Sequence, residues 1–181
     1  LWDPLTGSPV RLGWSLGGAV VQLTAQQPEA AVSALVLFGY VIDPELRFAT
    51  LPAPLVPAMA RTTRADAEID FISPQVTPRA VIDAFVRQAL ASDPVRVDWI
   101  HEDEFNAIRL DKMTMPVLVI HGSRDPGVDP ETAAKFVAGL PAAHRQWTIL
   151  PGGDHAAQLE DTHDAFIDAV AGFLRRPGPR R

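Results

Sequence analysis

The chain has no cysteine among its 181 residues, which excludes thiol catalysis and disulfides and leaves the compartment open. No H-E-x-x-H or comparable ligand spacing occurs, so no metal centre is expected. Apolar runs are short, and none approaches the roughly 20 residues needed to span a bilayer. Positive charge is scarce. Sixteen Lys and Arg stand against 22 Asp and Glu, and the formal net charge of −6 argues against a nucleic-acid partner. The one dense basic run, Arg175-Arg176 through Arg180-Arg181, lies in a tail containing Pro and Gly and reads as a solvated terminus. With these classes set aside, a chain that is 47% hydrophobic has enough apolar material for one domain with its own core.

The most informative stretch is Gly13-Trp14-Ser15-Leu16-Gly17-Gly18, a serine set between glycines after an apolar segment and before a helix-like run. The pattern G-x-S-x-G fits a tight strand-to-helix turn that pushes the serine into a sparsely populated backbone conformation. Residues two before and two after it must then be small, which Gly13 and Gly17 satisfy. The helix starting under Ser15 offers unpaired N–H groups and a positive dipole end to developing negative charge. The Leu16 backbone N–H is the first candidate donor.

Two later blocks complete a pattern. Val117-Leu118-Val119-Ile120-His121-Gly122 reads as a buried parallel strand, with Asp125 in the loop that follows. Trp147 to Leu150 reads as another strand, and Pro151-Gly152-Gly153-Asp154-His155 as a loop carrying a histidine. The order Ser15, Asp125, His155, together with the blocks His121-Gly122-Ser123-Arg124-Asp125 and Gly152-Gly153-Asp154-His155, resembles the α/β-hydrolase superfamily over essentially the whole chain. The resemblance implies a doubly wound parallel α/β sheet. It also implies a cofactor-free serine hydrolase with Ser15 as nucleophile, His155 as general base then acid, and Asp125 as the carboxylate that orients the ring. Asp43, after the preceding strand, and Asp129, four residues beyond Asp125, are alternatives for that carboxylate. Asp154 reads as a loop-stabilising residue, Trp14 as a packing residue, His121 as structural and His163 as exposed; His101 and His144 carry no motif.

Organisation follows the same reading. Leu16 to Gln27 is expected as the helix behind the elbow, stopped by Pro28, and Val32 to Phe38 as a buried strand. From Val41 to about Met115 the parallel-strand signal stops, prolines gather at Pro52, Pro54 and Pro57, and Ile82, Phe85, Val86 and Ala89 recur at helical spacing. Residues 41–112 are therefore expected as a helical cap inserted into a core of residues 1–40 and 113–181. The core resumes with a strand at Val117, a helix from Pro130 to Leu140, and a last helix with Asp161 as its N-cap.

The elbow lies far nearer the first residue than is usual in the superfamily. Val10-Arg11-Leu12 is accordingly expected as a central strand whose second neighbour, with a second oxyanion donor, comes from an upstream segment or a complementing chain. The expected substrate is a carboxylic ester of a small or medium apolar acyl group. Thioesters, lactones, C–C bonds and acyl transfer are open to the same three residues, and a non-catalytic ligand-binding protein of this fold is the alternative from another class.

Overall fold

The computed structural model describes residues 9–40, 43, 45–52, 56–73 and 75–175. Val41, Pro54 and the basic tail beyond Arg175 lie outside the described residues. In chain order the elements begin with β1 (Val10–Trp14), α1 (Gly17–Ala25) and β2 (Ala34–Phe38). Then come β3 (Met59–Arg61), α2 (Arg64–Glu68), α3 (Arg79–Ser92) and β4 (Val95–Val97). The chain closes with β5 (Val117–Gly122), α4 (Pro130–Gly139), β6 (Arg145–Leu150) and α5 (His163–Arg175).

Strands β1, β2, β5 and β6 form one parallel sheet in that order, with Val10 opposite Ala34, Leu35 opposite Val117 and Val117 opposite Arg145. Apolar residues without alternation mark strands covered on both faces. Every residue of β2 and β5 is buried accordingly. The period-2 geometry of a strand then sends successive side chains into different layers. Val36, Phe38, Leu118 and Ile120 pack with Phe166, Val170 and Phe173 of α5. Leu35, Leu37, Val117 and Val119 pack on the opposite face with Ala25 of α1 and Phe136 of α4. Helices on both faces of a parallel sheet make a doubly wound, three-layer architecture.

β1, whose second neighbour is expected from outside this stretch, pairs among the described residues with β2 alone, at one end of the four-strand order, and Leu12 is 39% exposed. Two expectations change in detail, the start of α5 and the content of the stretch between β2 and β5. α5 starts at His163, two residues after Asp161, because a short 3₁₀ turn at Ala157–Leu159 and the bond from Phe166 N–H to the Thr162 carbonyl move the helix start along the chain. Between β2 and β5 the chain holds helices α2 and α3, as the apolar spacing implied, and also an antiparallel pair, β3 with β4. Those strands are three residues long and wholly exposed, so they carry no burial pattern that a sequence reading could use. Helices α2 and α3 close on their own cluster of Ala67, Phe71, Ile82 and Val86, which also meets Ala156 and Trp14.

Phe136 is 2% exposed at the centre of the layer formed by α1 and α4. Phe136→Ala is expected to lower the unfolding free energy by about 3–5 kcal/mol, measured by urea titration, because the ring is replaced by a cavity its neighbours only partly close.

Candidate active site

All the motif residues gather at the carboxyl ends of the parallel strands: Ser15 after β1, Asp125 after β5 and His155 after β6. Ser15 has φ of 52°, a left-handed conformation that a side chain with a Cβ adopts at a cost of about 1–2 kcal/mol. Its N–H donates to the Phe38 carbonyl at 2.9 Å, which anchors the turn to β2. A Cβ on Gly13 would stand 2.3 Å from the Gly17 carbonyl oxygen, so only glycine lets strand and helix meet there. Gly17 itself has open space around it, and the second crowded glycine is Gly18, where a Cβ would lie 2.7 Å from the Tyr40 ring. The requirement for small residues thus falls on Gly13 and Gly18.

α1 begins without a side-chain cap or an acid in its first turn. Gly18 N–H is taken by the Ser15 carbonyl and Ala19 N–H by that of Leu16. Among the described residues, the N–H groups of Leu16 and Gly17 have no backbone acceptor, which leaves donors and the positive helix end directed at the turn.

Asp125 and His155 meet directly. The Asp125 Oδ2 lies 3.0 Å from His155 Nδ1, and Asp125 Oδ1 accepts the Gly127 N–H at 2.8 Å. The Asp125 side chain is fully buried, while that of His155 is 12% exposed. Burial opposes charge on the imidazole, but the hydrogen bond and charge of Asp125, reinforced by Asp70 and Asp154, outweigh it and raise the His155 pKa above its ordinary value. Trp14 does more than pack. Its indole N–H donates to the His155 carbonyl at 2.8 Å and its ring lies 5.7 Å from the imidazole, so the residue before Ser15 holds the loop carrying His155. Among the described residues no hydrogen bond links Ser15 Oγ to the ring.

The competing acids are engaged elsewhere. Asp129 caps α4 by accepting from the Thr132 N–H and hydroxyl, both at 2.8 Å, and those bonds hold its carboxyl below the usual range. Asp43 accepts from Glu45 N–H and lines a cavity of about 210 Å³ with Gln22, Asn106 and Phe136 that includes none of Ser15, Asp125 and His155. His121 is buried, with Nδ1 on the Gly122 carbonyl and its ring stacked on Trp147; His144 lies against Phe173, and His163 and His101 are exposed. Asp154 stabilises its loop as expected, accepting from Ala156 N–H, and it also accepts from Ser73 N–H across the fold.

Three site residues carried no readable motif. Gly39, at φ of 59°, leaves room for the acid and the ring: a Cβ there would approach Asp125 Oδ2 to 3.2 Å and His155 Nδ1 to 3.3 Å. Its signal was only a glycine ending an apolar strand. Asp70 comes from the turn after α2 and brings Oδ1 to 3.9 Å from His155 Nε2. Glu160 is buried and accepts the Asp154 N–H at 2.9 Å.

Comparison with known proteins now has a geometry to rest on. The chain belongs to the α/β-hydrolase family described as serine aminopeptidase, S33, whose model matches residues 7–162. A polyketide synthase, ThaQ, from Burkholderia thailandensis is 30% identical over 93% of this chain, which spans 8% of that protein's length. Among solved structures, a soluble variant of monoglyceride lipase from Saccharomyces cerevisiae aligns at a TM-score of 0.63 with 18% identity, over 91% of this chain and 64% of its own. The methylesterase MES16 from Arabidopsis aligns at 0.61 with 14% identity, over 93% and 70%. At such identities these likenesses establish the fold. No helix among the described residues is long and apolar enough to cross a membrane.

Burial, and then the adjacent Asp154 carboxylate, push the Glu160 pKa up from 4.5 to about 8, against the lowering effect of the Asp154 N–H bond. The folded protein then keeps a proton that the unfolded chain releases, so stability falls as pH rises across that window. Glu160→Gln, which imitates the protonated acid, is expected to flatten this decline, seen as a smaller difference between thermal midpoints at pH 5 and pH 8 than in the wild type.

Proposed function

We propose that this chain is a cofactor-free serine hydrolase that cleaves carboxylic esters through an acyl-enzyme. The observation that carries the reading is the Asp125–His155 hydrogen bond of 3.0 Å, made at the same strand ends where Ser15 sits in a strained left-handed turn. Ser15 Oγ attacks the ester carbonyl carbon as His155 Nε2 takes the hydroxyl proton. Asp125 holds the ring through Nδ1 and stabilises the imidazolium. The Leu16 N–H donates to the oxyanion. The proton on Nε2 then passes to the departing alkoxide, leaving an acyl group on Ser15. Water, deprotonated by the same nitrogen, releases the acid.

Residues 41–112 act as the cap in this reading. The support is that the cluster of α2 and α3 rests on Trp14 and Ala156, the neighbours in sequence of Ser15 and His155. A cap in that position shapes the substrate pocket, and the small-molecule acyl substrate is selected there. The likeness to a polyketide synthase favours a second reading, in which the acyl group arrives as a thioester. The attacking and orienting residues would be the same, and a thiolate would leave in place of the alkoxide.

Incubation with a fluorophosphonate probe is expected to add its phosphonyl group to Ser15, located by mass spectrometry of peptides. An unlabelled Ser15 in the folded full-length protein would point to a binding protein of this fold. Matched butyryl esters and thioesters, compared by kcat/KM, decide between the two substrate classes.

Ser15→Ala and His155→Ala should each reduce kcat by as much as about 10⁶, since such residues act as a unit. Asp125→Asn should cost about 10⁴ if the ring is left in the wrong tautomer, and Asp43→Asn far less. Ester hydrolysis at pH 7 checks the ranking, and the reverse order for the two Asp variants would move the orienting role to Asp43.

A further inference from the structure

His155 stands between two carboxylates, one on each ring nitrogen. Asp125 is bonded to Nδ1, while Asp70 Oδ1 lies 3.9 Å from Nε2, the nitrogen that exchanges protons with Ser15 in the reading above. Asp125 is fully buried, and Asp70 is 35% exposed, so it faces both the ring and whatever approaches it.

The turn that carries Asp70 is fixed in place. Phe71, next in sequence, is 6% exposed and meets Phe85 edge-on at 5.2 Å. Ser73 N–H donates to the Asp154 carboxylate, and Asp161 N–H donates to the Val76 carbonyl. Asp154 precedes His155 and also accepts the Ala156 N–H at 2.9 Å. One buried carboxylate therefore sets the position of the histidine loop and of the turn that carries Asp70.

Charge around the ring has one sign. Asp125 acts from the loop after β5, Asp70 from the turn after α2, and Asp154 from the histidine's own loop, while Trp14 presents an uncharged ring. The cation that acts on Asp70, besides the histidine itself, is Arg96 of β4, which is already paired with Asp66 at 3.3 Å. An imidazolium is stabilised in such a field. An anionic group brought next to Nε2 is opposed by it.

We propose, resting on the assignment of His155 as the base, that Asp70 is a positioning and specificity-determining residue: it stabilises the proton on Nε2 and disfavours acyl substrates that carry a negative charge beside the scissile carbonyl. The stabilisation helps the imidazolium formed during attack. It also keeps the resting base protonated to higher pH, which moves the acidic limb of kcat/KM upward.

The test is Asp70→Asn in the full-length protein, with Asp70→Glu as the conservative control. Two readouts would not respond to a purely structural role. The first is the titration of the His155 ring by ¹⁵N NMR, assigned with His155→Gln; Asp70→Asn is expected to shift it to lower pH and Asp70→Glu to restore it. The second is the ratio of kcat/KM for 4-nitrophenyl hemisuccinate to that for 4-nitrophenyl butyrate, an anionic and a neutral ester of equal chain length. At low salt that ratio is expected to rise on the order of threefold in Asp70→Asn, the size of a single screened charge interaction near 4 Å, and the acidic limb to move to lower pH. An unchanged titration with an unchanged ratio overturns the proposal, even if the overall rate falls. If the wild type neither hydrolyses the esters nor takes the fluorophosphonate, the hydrolase reading fails by itself, and the ring titration still supports or overturns the coupling of Asp70 to His155.

Discussion

Backbone contact so close that only glycine can occupy it is the constraint on which the site depends. A Cβ on Gly13 would lie 2.3 Å from the Gly17 carbonyl oxygen, and one on Gly122 would lie 2.2 Å from that of Gly153. The first contact folds helix α1 back against the end of β1; the second presses the loop after β6 onto the end of β5. Gly39 adds a third approach, of its own backbone to the Asp125–His155 pair. Separations under 3 Å from a Cβ cannot be absorbed by rotating a side chain when the opposing atom is backbone. The glycines therefore permit the close approach of the loops after β1, β2, β5 and β6 that a side chain would block.

Polar contacts then fix what the glycines allow to approach. Asp125 takes one bond from its own loop and one from His155, while Trp14 ties the histidine backbone to the elbow. Asp154 accepts from Ala156 on one side and Ser73 on the other, and its N–H is held by Glu160. Each of these groups is at least partly removed from water, where a lost partner costs more than a made bond gains. That asymmetry favours one arrangement of the loops over looser alternatives. It also joins the segment containing α2 and α3 to the histidine loop through a carboxylate rather than through apolar packing alone.

The family membership and the fold define a hydrolase scaffold, and the scaffold leaves the substrate undetermined. The solved structures this chain resembles share the fold at identities below 20%, and a fold by itself does not fix a substrate. The part of the chain that differs in character is the stretch between β2 and β5. It supplies the exposed antiparallel pair, the helices that rest on Trp14 and Ala156, and the acid beside Nε2.

What the sequence determined by itself was local. The glycines around Ser15 marked a tight turn, unbroken apolar runs marked β2 and β5 as strands buried on both faces, and the strand-end positions of Asp125 and His155 followed from their loops. These signals are legible because backbone conformation, burial periodicity and turn chemistry are set within a few residues. Only the tertiary structure decided the rest. The motif favours Asp125 over Asp43 and Asp129, but where each acid is engaged is tertiary: a helix N-terminus takes Asp129, a neighbouring turn takes Asp43 and the imidazole takes Asp125. Asp70 reaches His155 across 85 residues of chain, held by Phe71 and Ser73, and no local pattern encodes a contact made at that separation.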